Sequence, residues 1–183
     1  MNTLTIIGQV FGFMAMVLIV ASFQFKDNRK LFILQSGSCL LFVLHYLFLG
    51  LGGDAAGFSG MAQNLIGLVF RVVLLLSERF KKLYSPVTMS IIAAAMAVLA
   101  VFTYSGDPVA LLPVLGNFVC LGGLWTRDAN IIRVTQLAAV SPCWLIYNVF
   151  MFSIAGIILE SFNIISIAIY YLRRRRERRA NAE

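Results

Sequence analysis

Polar side chains that could bind a solute recur inside the apolar segments of this chain. Phenol, imidazole and amide groups form hydrogen bonds, so several of them at one depth could bind a small polar molecule. The same groups also bond to one another between helices, and then they only hold the helices together. Both interpretations stay open for the residues that carry the pattern, which are His45, Tyr46 and Asn64 in one part of the sequence and Tyr147, Asn148 and Asn163 in another.

Counting along helices places these side chains at a similar depth. Tyr46 lies about 14 residues into its apolar segment, which is roughly 21 Å at 1.5 Å per residue. Asn64 lies about eight residues below the opposite end of the next segment, or roughly 12 Å into a hydrocarbon core of about 30 Å. Since Tyr147 and Asn163 repeat this arrangement, we predict one layer of polar groups supplied by four helices, with Asn64 and Asn163 facing each other.

Two ionisable residues within the apolar segments have alternative interpretations. Glu160 is a candidate for coupling solute movement to an ion, but an acid also suits the N-terminal turns of a helix. His45 is the single histidine, and a hydrogen-bonded packing role is favoured for it over a role as a proton relay. Arg71 is predicted to extend toward the nearer membrane interface, and Gln35 and Gln136 to pair between helices.

The sequence gives no pattern typical of an enzyme, so no catalytic residue is predicted. It has no glycine-rich phosphate loop, no nucleophile beside a base, and no spacing of His, Cys, Asp or Glu that suits a metal. The three cysteines all lie in apolar runs and are interpreted as small packing residues. We therefore expect neither a cofactor nor a metal ion.

The composition is that of a protein embedded in a lipid bilayer. Hydrophobic residues make up 60% of the 183 residues and charged residues only 13%, whereas a soluble domain is about half apolar and a quarter charged. The formal net charge of +7 does not indicate a nucleic-acid partner. Six of the fifteen basic residues lie near the C-terminus, and most of the others lie between apolar runs, a pattern that orients a membrane protein.

Seven apolar segments are long enough, or nearly so, to cross a membrane as helices. The turns that follow the first, third and fifth segments carry Lys and Arg, as does the C-terminal tail, whereas the alternate turns carry none. With seven spans, all basic turns lie on one side, which is then cytoplasmic, with the N-terminus outside. Pro113 and Pro142 are expected to kink their helices. The segments are approximately 4–25, 31–50, 55–76, 86–104, 109–125, 131–152 and 155–172.

Two parts of the chain resemble each other at an offset of 101 residues. Between 25–46 and 126–147, four positions are identical, among them Gln35 with Gln136 and Tyr46 with Tyr147. Apolar segments flank both copies in the same order, which indicates a tandem repeat. The predicted fold is all-α and integral to the membrane, with seven transmembrane helices arranged as two parallel three-helix bundles joined by a linker helix. Its parts are a first repeat at 1–77, the linker region at 78–108, a second repeat at 109–173 and a basic tail at 174–183.

Nearly the whole chain resembles the bacterial YgjV-type inner membrane protein family, most clearly in DPVALLPVLG and CWLIYN of the second repeat. More distantly, the plan of three, one and three helices is similar to the sugar-transporting SWEET proteins and the PQ-loop proteins. That likeness implies a pocket lined by an aromatic residue on the second helix and an asparagine on the third helix of each repeat. The chain departs from the family's Pro-Gln hinge, having Phe23-Gln24 and Leu124-Trp125 instead. The implied pocket residues are Tyr46, Trp144 or Tyr147, Asn64 and Asn163.

These observations lead to two hypotheses of different classes. The first is a transporter or facilitator for a small polar solute in a bacterial inner membrane, with its site between the repeats. The second is a receptor or accessory subunit of the same fold that transports nothing. The expected partners are the lipid bilayer and a small polar solute, and a homo-oligomer stays open.

Overall fold

The computed structural model describes residues 2–22 and 28–180, which form α-helices joined by short turns, with no strand among them. A π-helical turn at Gln136–Val140 joins α6 directly to α7, and 3-10 turns at Lys81–Leu83 and Pro108–Leu111 precede α4 and α5. The α-helices are α1 (Thr3–Ser22), α2 (Asn28–Leu51), α3 (Gly57–Leu76), α4 (Pro86–Phe102), α5 (Leu112–Trp125), α6 (Ala129–Thr135), α7 (Ser141–Phe150) and α8 (Ile154–Ala180).

Six stretches among the described residues are long and apolar enough to cross a membrane. Helix α4 is also apolar but has 17 residues, which gives a length of about 26 Å, somewhat short of a core of about 30 Å. The fold class is therefore an all-α, multi-pass membrane protein. The six stretches are Thr3–Ser22, Ile33–Leu51, Gly57–Leu76, Pro108–Trp125, Ala129–Phe150 and Ile154–Arg176.

The long helices pack as a ring. Helix α2 packs between α1 and α3, and α7 packs between α5 and α8. The ring is completed by contacts of α1 with α8 and of α3 with α5, while α4 packs against α3 and α5. We call α1 to α3 the first half and α5 to α8 the second half; in each half the second span lies between the other two.

Side-chain contacts show which helix ends lie together. At one end, Tyr84 stacks on Trp125 with ring centroids 5.2 Å apart, and Arg127 donates a 2.7 Å hydrogen bond to the Ser77 hydroxyl. Lys and Arg cluster there, and we call it the basic end. At the opposite end, the Ser59 hydroxyl donates to the carbonyl of Ala110. The connections at that opposite end carry no Lys or Arg.

The two prolines predicted to kink helices have different effects. Pro142 follows the π-helical turn, which accommodates a residue that lacks an N–H and crowds the preceding turn. Pro113 does not interrupt a helix, so that expectation was wrong. It lies in the first turn of α5, directly after a 3-10 turn, where a missing N–H leaves no hydrogen bond unmade.

Some sequence predictions fall outside the described residues. Lys26 and Asp27, which begin the predicted basic turn at 26–30, and the Phe23-Gln24 pair at the expected hinge lie in 23–27, whereas residues 28–30 form the start of α2. The side chains of Arg178 and Arg179 are likewise outside the description. The four preceding arginines, Arg173 to Arg176, continue α8 as helix, so the predicted tail begins as an extension of the last span.

Candidate functional site

A cavity of about 510 Å³ lies inside the ring of helices. Both halves of the chain supply its lining, whereas α4 supplies no described lining residue. The lining extends from the middle of the bundle, at the depth of Tyr46 and Asn148, toward the basic end, at the depth of Val20 and Arg133. Its volume is within the range of small-molecule sites, which is roughly 300–1,000 Å³.

The second span of each half lines the cavity with one stripe of four residues. In α2 the stripe is Gln35, Cys39, Phe42 and Tyr46, with the spacing of one helical face. The stripe of the second half matches that of α2 at an offset of 101 residues up to the π-helical turn. After that turn the offset is 102, because the turn contains one extra residue. The second stripe consists of Gln136, Val140, Trp144 and Asn148.

The extra residue changes which aromatic positions are equivalent. Tyr46 corresponds to Asn148, and His45 corresponds to Tyr147. The sequence alignment, with its constant offset, instead paired Tyr46 with Tyr147. As a result Tyr46, Asn148 and Trp144 line the cavity, whereas neither His45 nor Tyr147 is part of its lining.

His45 is fully buried next to the cavity and is held by two hydrogen bonds. Its Nδ1 lies 2.7 Å from the carbonyl oxygen of Gly8, and its Nε2 lies 2.7 Å from the hydroxyl of Ser153. A carbonyl can only accept, so Nδ1 carries the proton and Nε2 accepts from Ser153. Because both nitrogens are bonded to protein groups, His45 joins the first half to the second half. This is the packing role that the sequence favoured.

Tyr147 makes the matching contact from the second half. Its hydroxyl donates to the carbonyl of Ala56 at 2.9 Å and accepts from the N–H of Gly60 at 3.1 Å. Gly60 is required at this contact, because a Cβ there would overlap the Tyr147 hydroxyl and lie 2.8 Å from Cγ of Tyr46. The hydroxyl of Tyr147 is therefore fully used in joining the halves.

A third bond between the halves lies at the end of the cavity itself. The hydroxyl of Tyr46 donates to Oδ1 of Asn148 at 2.5 Å. The rings of Trp144 and Tyr147 pack around that of Tyr46, with centroids 5.9 Å and 5.5 Å away. We call His45, Tyr46, Tyr147 and Asn148 the closing layer, because these buried and mutually packed side chains end the cavity on the side away from the basic end.

Asn64 and Asn163 both line the cavity, but they are not equivalent to each other. The lining residues of α3 and α8 correspond at an offset of 96, with Gly60 matching Gly156. Each of these glycines lies against the closing layer, since a Cβ at Gly156 would overlap the side chain of Asn148. Asn64 then corresponds to Glu160, so the expected symmetric pair of asparagines was wrong.

Neither asparagine bonds across to the other half. The amide of Asn64 donates to the carbonyl of Gly60, one turn earlier in its own helix, at 2.9 Å. The amide of Asn163 donates to Oε2 of Glu160 at 3.2 Å, and Ser141 donates to the same oxygen at 2.6 Å. Glu160 lines the cavity and is held by neutral donors rather than by an ion pair.

Several polar residues of the lining were not predicted as such from the sequence, and Gln63, Asn117 and Arg71 are three of them. Gln63 and Asn117 were not singled out, and Arg71 was expected at the membrane interface. The amide of Asn117 donates to the carbonyl oxygen of Gln63 at 2.7 Å and to its side-chain Oε1 at 3.3 Å. The guanidinium of Arg71 points the other way from the basic end, since Nη1 donates to the carbonyl of Gly67 at 3.1 Å. The spacing of Gln63, Gly67 and Arg71, four residues apart on one helix face, was the available signal.

The lining can bind a polar molecule, but the described residues offer no metal site. Among them, no three His, Cys, Asp or Glu side chains lie close enough together to hold a metal ion. The lining carries amide and guanidinium donors, one carboxylate and three aromatic rings, those of Phe42, Trp144 and Phe162, beside the phenol of Tyr46. These groups can recognise a solute by hydrogen bonds, charge and ring contacts.

Comparison with known proteins identifies a family and nothing closer. A family model described as a bacterial inner membrane protein, Imp-YgjV, matches residues 6–178 and so extends into every helix of the fold. No curated protein and no solved structure matches the chain, and the distant resemblance to the SWEET and PQ-loop proteins is not supported. The chain belongs to the Imp-YgjV family of bacterial inner membrane proteins.

Proposed function

We propose that this protein carries a small polar solute across the bacterial inner membrane through the cavity between its two halves. The observation that carries the proposal is the cavity of about 510 Å³, lined with polar groups at membrane depth by both halves and ended on one side by the closing layer. Polar and charged side chains are costly in a bilayer, so they tend to mark the path of a solute or ion.

The proposal includes a topology. Seven spans, with α4 as the linker between two parallel three-helix units, place every basic turn on the cytoplasmic side, with the N-terminus outside and the C-terminus inside. The basic end of the bundle is then cytoplasmic, and the closing layer faces the periplasm. With the cavity extending toward the basic end, the solute site lies on the cytoplasmic side of the closing layer, which acts as the barrier.

Transport then requires the barrier to change sides. The bonds of the closing layer join the two halves, so a rocking motion of one half against the other would break them and release the solute to the periplasm. Glu160 is the one acid among the described lining residues, and neutral donors hold it. We therefore propose that the solute crosses by facilitated diffusion rather than by coupling to an ion.

The alternative is a receptor or accessory subunit of the same fold. The hydrogen-bonded closing layer favours it, because such bonds also serve only to hold helices together. The two functions differ in one measurable respect, since a receptor binds its ligand in the cavity but shows no flux.

Uptake into liposomes tests the proposal. The purified chain should accelerate the entry of at least one solute from a panel of sugars, amino acids and vitamins. The variant Gly67→Phe should abolish this flux, because Gly67 lines the cavity and an aromatic side chain there would displace the Arg71 guanidinium, whose Nη1 lies 3.1 Å from the added Cβ, and would fill the cavity. Gly122→Phe is the matched control, since nothing lies within 4 Å of a Cβ at Gly122 and this residue is not in the lining. Binding without flux would favour the receptor, and equal flux in Gly67→Phe would remove the cavity from the mechanism.

A further inference from the structure

The side of the cavity formed by α3 contains two buried donors without an acceptor. Nε2 of Gln63 and Nε of Arg71 have no hydrogen-bond partner among the described residues, and Gln63 is 0% exposed. A buried donor left unsatisfied is destabilising, and a charged one more so. Both residues line the cavity, so a ligand in the cavity is the partner available to them.

The neighbouring contacts orient these two groups. Asn117 donates to Oε1 of Gln63, which fixes that atom as the amide oxygen and leaves Nε2 as a donor. Arg71 is held over Gly67 by its bond to the Gly67 carbonyl, and its guanidinium lies 5.0 Å from the centroid of the Phe70 ring. Gly67 lies between Gln63 and Arg71 on the same helix face. Because Gly67 has no side chain, the guanidinium of Arg71 lies over it, with Nη1 3.1 Å from where a Cβ would be. We call the part of the lining formed by Gln63, Gly67 and Arg71 the notch.

The charge of the lining is positive at this notch. The charged side chains among the described lining residues are Arg71, Arg133 and Glu160. No described carboxylate forms an ion pair with Arg71, and Glu160 is bonded to Ser141 and Asn163 instead. Arg133 lies over the ring of Tyr170, 4.5 Å from its centroid, at the basic end. Glu160 faces the same cavity and acts on Arg71 through space, but no carboxylate contacts Arg71 directly, and a cation at membrane depth without such a contact is costly in an empty site.

We infer that the solute carries an anionic oxygen group, a carboxylate or a phosphate, which binds at the notch beside Arg71 and Gln63. That the bound anion is a transported solute rests on the proposed function, but binding at the notch can be tested without any transport assay. An oxyanion accepts hydrogen bonds from both orphan donors at once, and it neutralises the guanidinium. Sugars without a charge satisfy the donors but not the charge.

Binding can be measured through the chain's own tryptophans. The sequence contains two, of which Trp144 lines the cavity and Trp125 stacks on Tyr84 outside it. In a Trp125→Phe background in detergent, fluorescence of Trp144 should respond to anions that differ from a neutral partner only in the acidic group. Suitable probes are glucuronate and glucose 6-phosphate against glucose, and glycerate and glycerol 3-phosphate against glycerol. At least one anion should bind about tenfold or more tightly than its neutral partner, and the preferred acid distinguishes carboxylate from phosphate.

Variants of the notch show whether it causes this preference. Arg71→Gln should weaken the anion about tenfold or more and the neutral partner much less, Gln63→Leu should weaken both, and Arg71→Lys should retain part of the preference for the anion. Arg79→Gln, which removes a charge at the basic end outside the lining, is the control and should keep the preference. Melting temperatures identify variants that do not fold. If Arg71→Gln is one of them, the inference is decided by Arg71→Lys, which should lose part of the preference, and by Gln63→Leu, which should weaken binding.

The outcomes separate the notch from transport. If neutral solutes cross liposomes as fast as their anionic partners, or Arg71→Gln keeps the anion preference, the inference is overturned while transport stands. If anions bind through Arg71 but nothing crosses, the notch is supported and the transport proposal is wrong. If no probe binds and none crosses, both are wrong.

Discussion

Tyr46 and Asn148 occupy the same position of the cavity lining in the two halves of the chain, and they bond to each other. The hydroxyl of Tyr46 donates to Oδ1 of Asn148 at 2.5 Å, and each residue is 1% exposed. Residues that lie 102 positions apart, in corresponding stripes of the lining, thus meet at the centre of the bundle and end the cavity. A bond between the halves at this place is suited to break and re-form if the halves move.

The first prediction concerns this bond. Tyr46→Phe removes the donor and leaves Oδ1 of Asn148 buried without it, at a cost of about 1–3 kcal/mol. We expect the closing layer to open more often. Two native thiols, Cys39 and Cys120, line the cavity and report such opening. In a Cys143→Ser background, a membrane-impermeant thiol reagent added at the end opposite the basic end should label them faster in the variant.

Tyr104→Phe is the control for this experiment. The hydroxyl of Tyr104 donates to the carbonyl of Gly106 in an exposed turn at the same end, so its loss should not change labelling. Equal labelling of Tyr46→Phe and the parent protein would show that the Tyr46–Asn148 bond does not contribute to the barrier.

The second prediction concerns the glycine against the closing layer. Gly60→Ala places a Cβ 2.8 Å from Cγ of Tyr46 and into the Tyr147 hydroxyl, so the two aromatic residues must move. Overpacking of this kind costs roughly 1–3 kcal/mol, which should lower the melting temperature in detergent. Gly122→Ala, with nothing within 4 Å of the added Cβ, should melt like the parent. Equal stability of the two variants would mean that the halves are packed less tightly there than the structure indicates.

A third prediction concerns orientation and depends on the one-sided distribution of Lys and Arg. A reporter that is active only in the periplasm should be silent when fused after Glu183, and a reporter active only in the cytoplasm should be active there. Reporters placed in the turn between α2 and α3 should give the reverse result. A C-terminus found in the periplasm would exclude the seven-span topology.

The fourth prediction concerns the arginines that extend α8. If they only orient the chain and bind anionic lipid, replacing all four of Arg173–Arg176 by glutamine should leave flux unchanged in liposomes of neutral lipid. In liposomes with anionic lipid, the variant should differ from the parent only in how strongly the C-terminal end of α8 binds the lipid headgroups. Loss of flux in neutral liposomes would place these arginines in a cytoplasmic barrier, near the bond that Arg174 donates to Asn130.

The class of the fold was predictable from composition and from the length of the apolar runs. A chain with 60% hydrophobic residues in segments of about 20 must satisfy its backbone within helices in a bilayer, and the six apolar stretches confirm this. The lining residues Asn64, Asn148 and Tyr46 were also found from sequence, because polar groups in apolar helices avoid lipid. Gln63 and Asn117 carried the same signal and were overlooked.

The pairing of the two halves was decided by the tertiary structure. When the two segments are aligned without gaps, Tyr46 is paired with Tyr147, and residue identity alone offers no reason to shift this pairing. The π-helical turn before Pro142 adds one residue, which rotates the rest of that helix by about 100° relative to an unbroken one. Asn148 therefore meets Tyr46, and Tyr147 joins His45 outside the cavity. Sequence alone determined which residues are polar within the membrane, while the packing around that one turn determined which of them face the cavity.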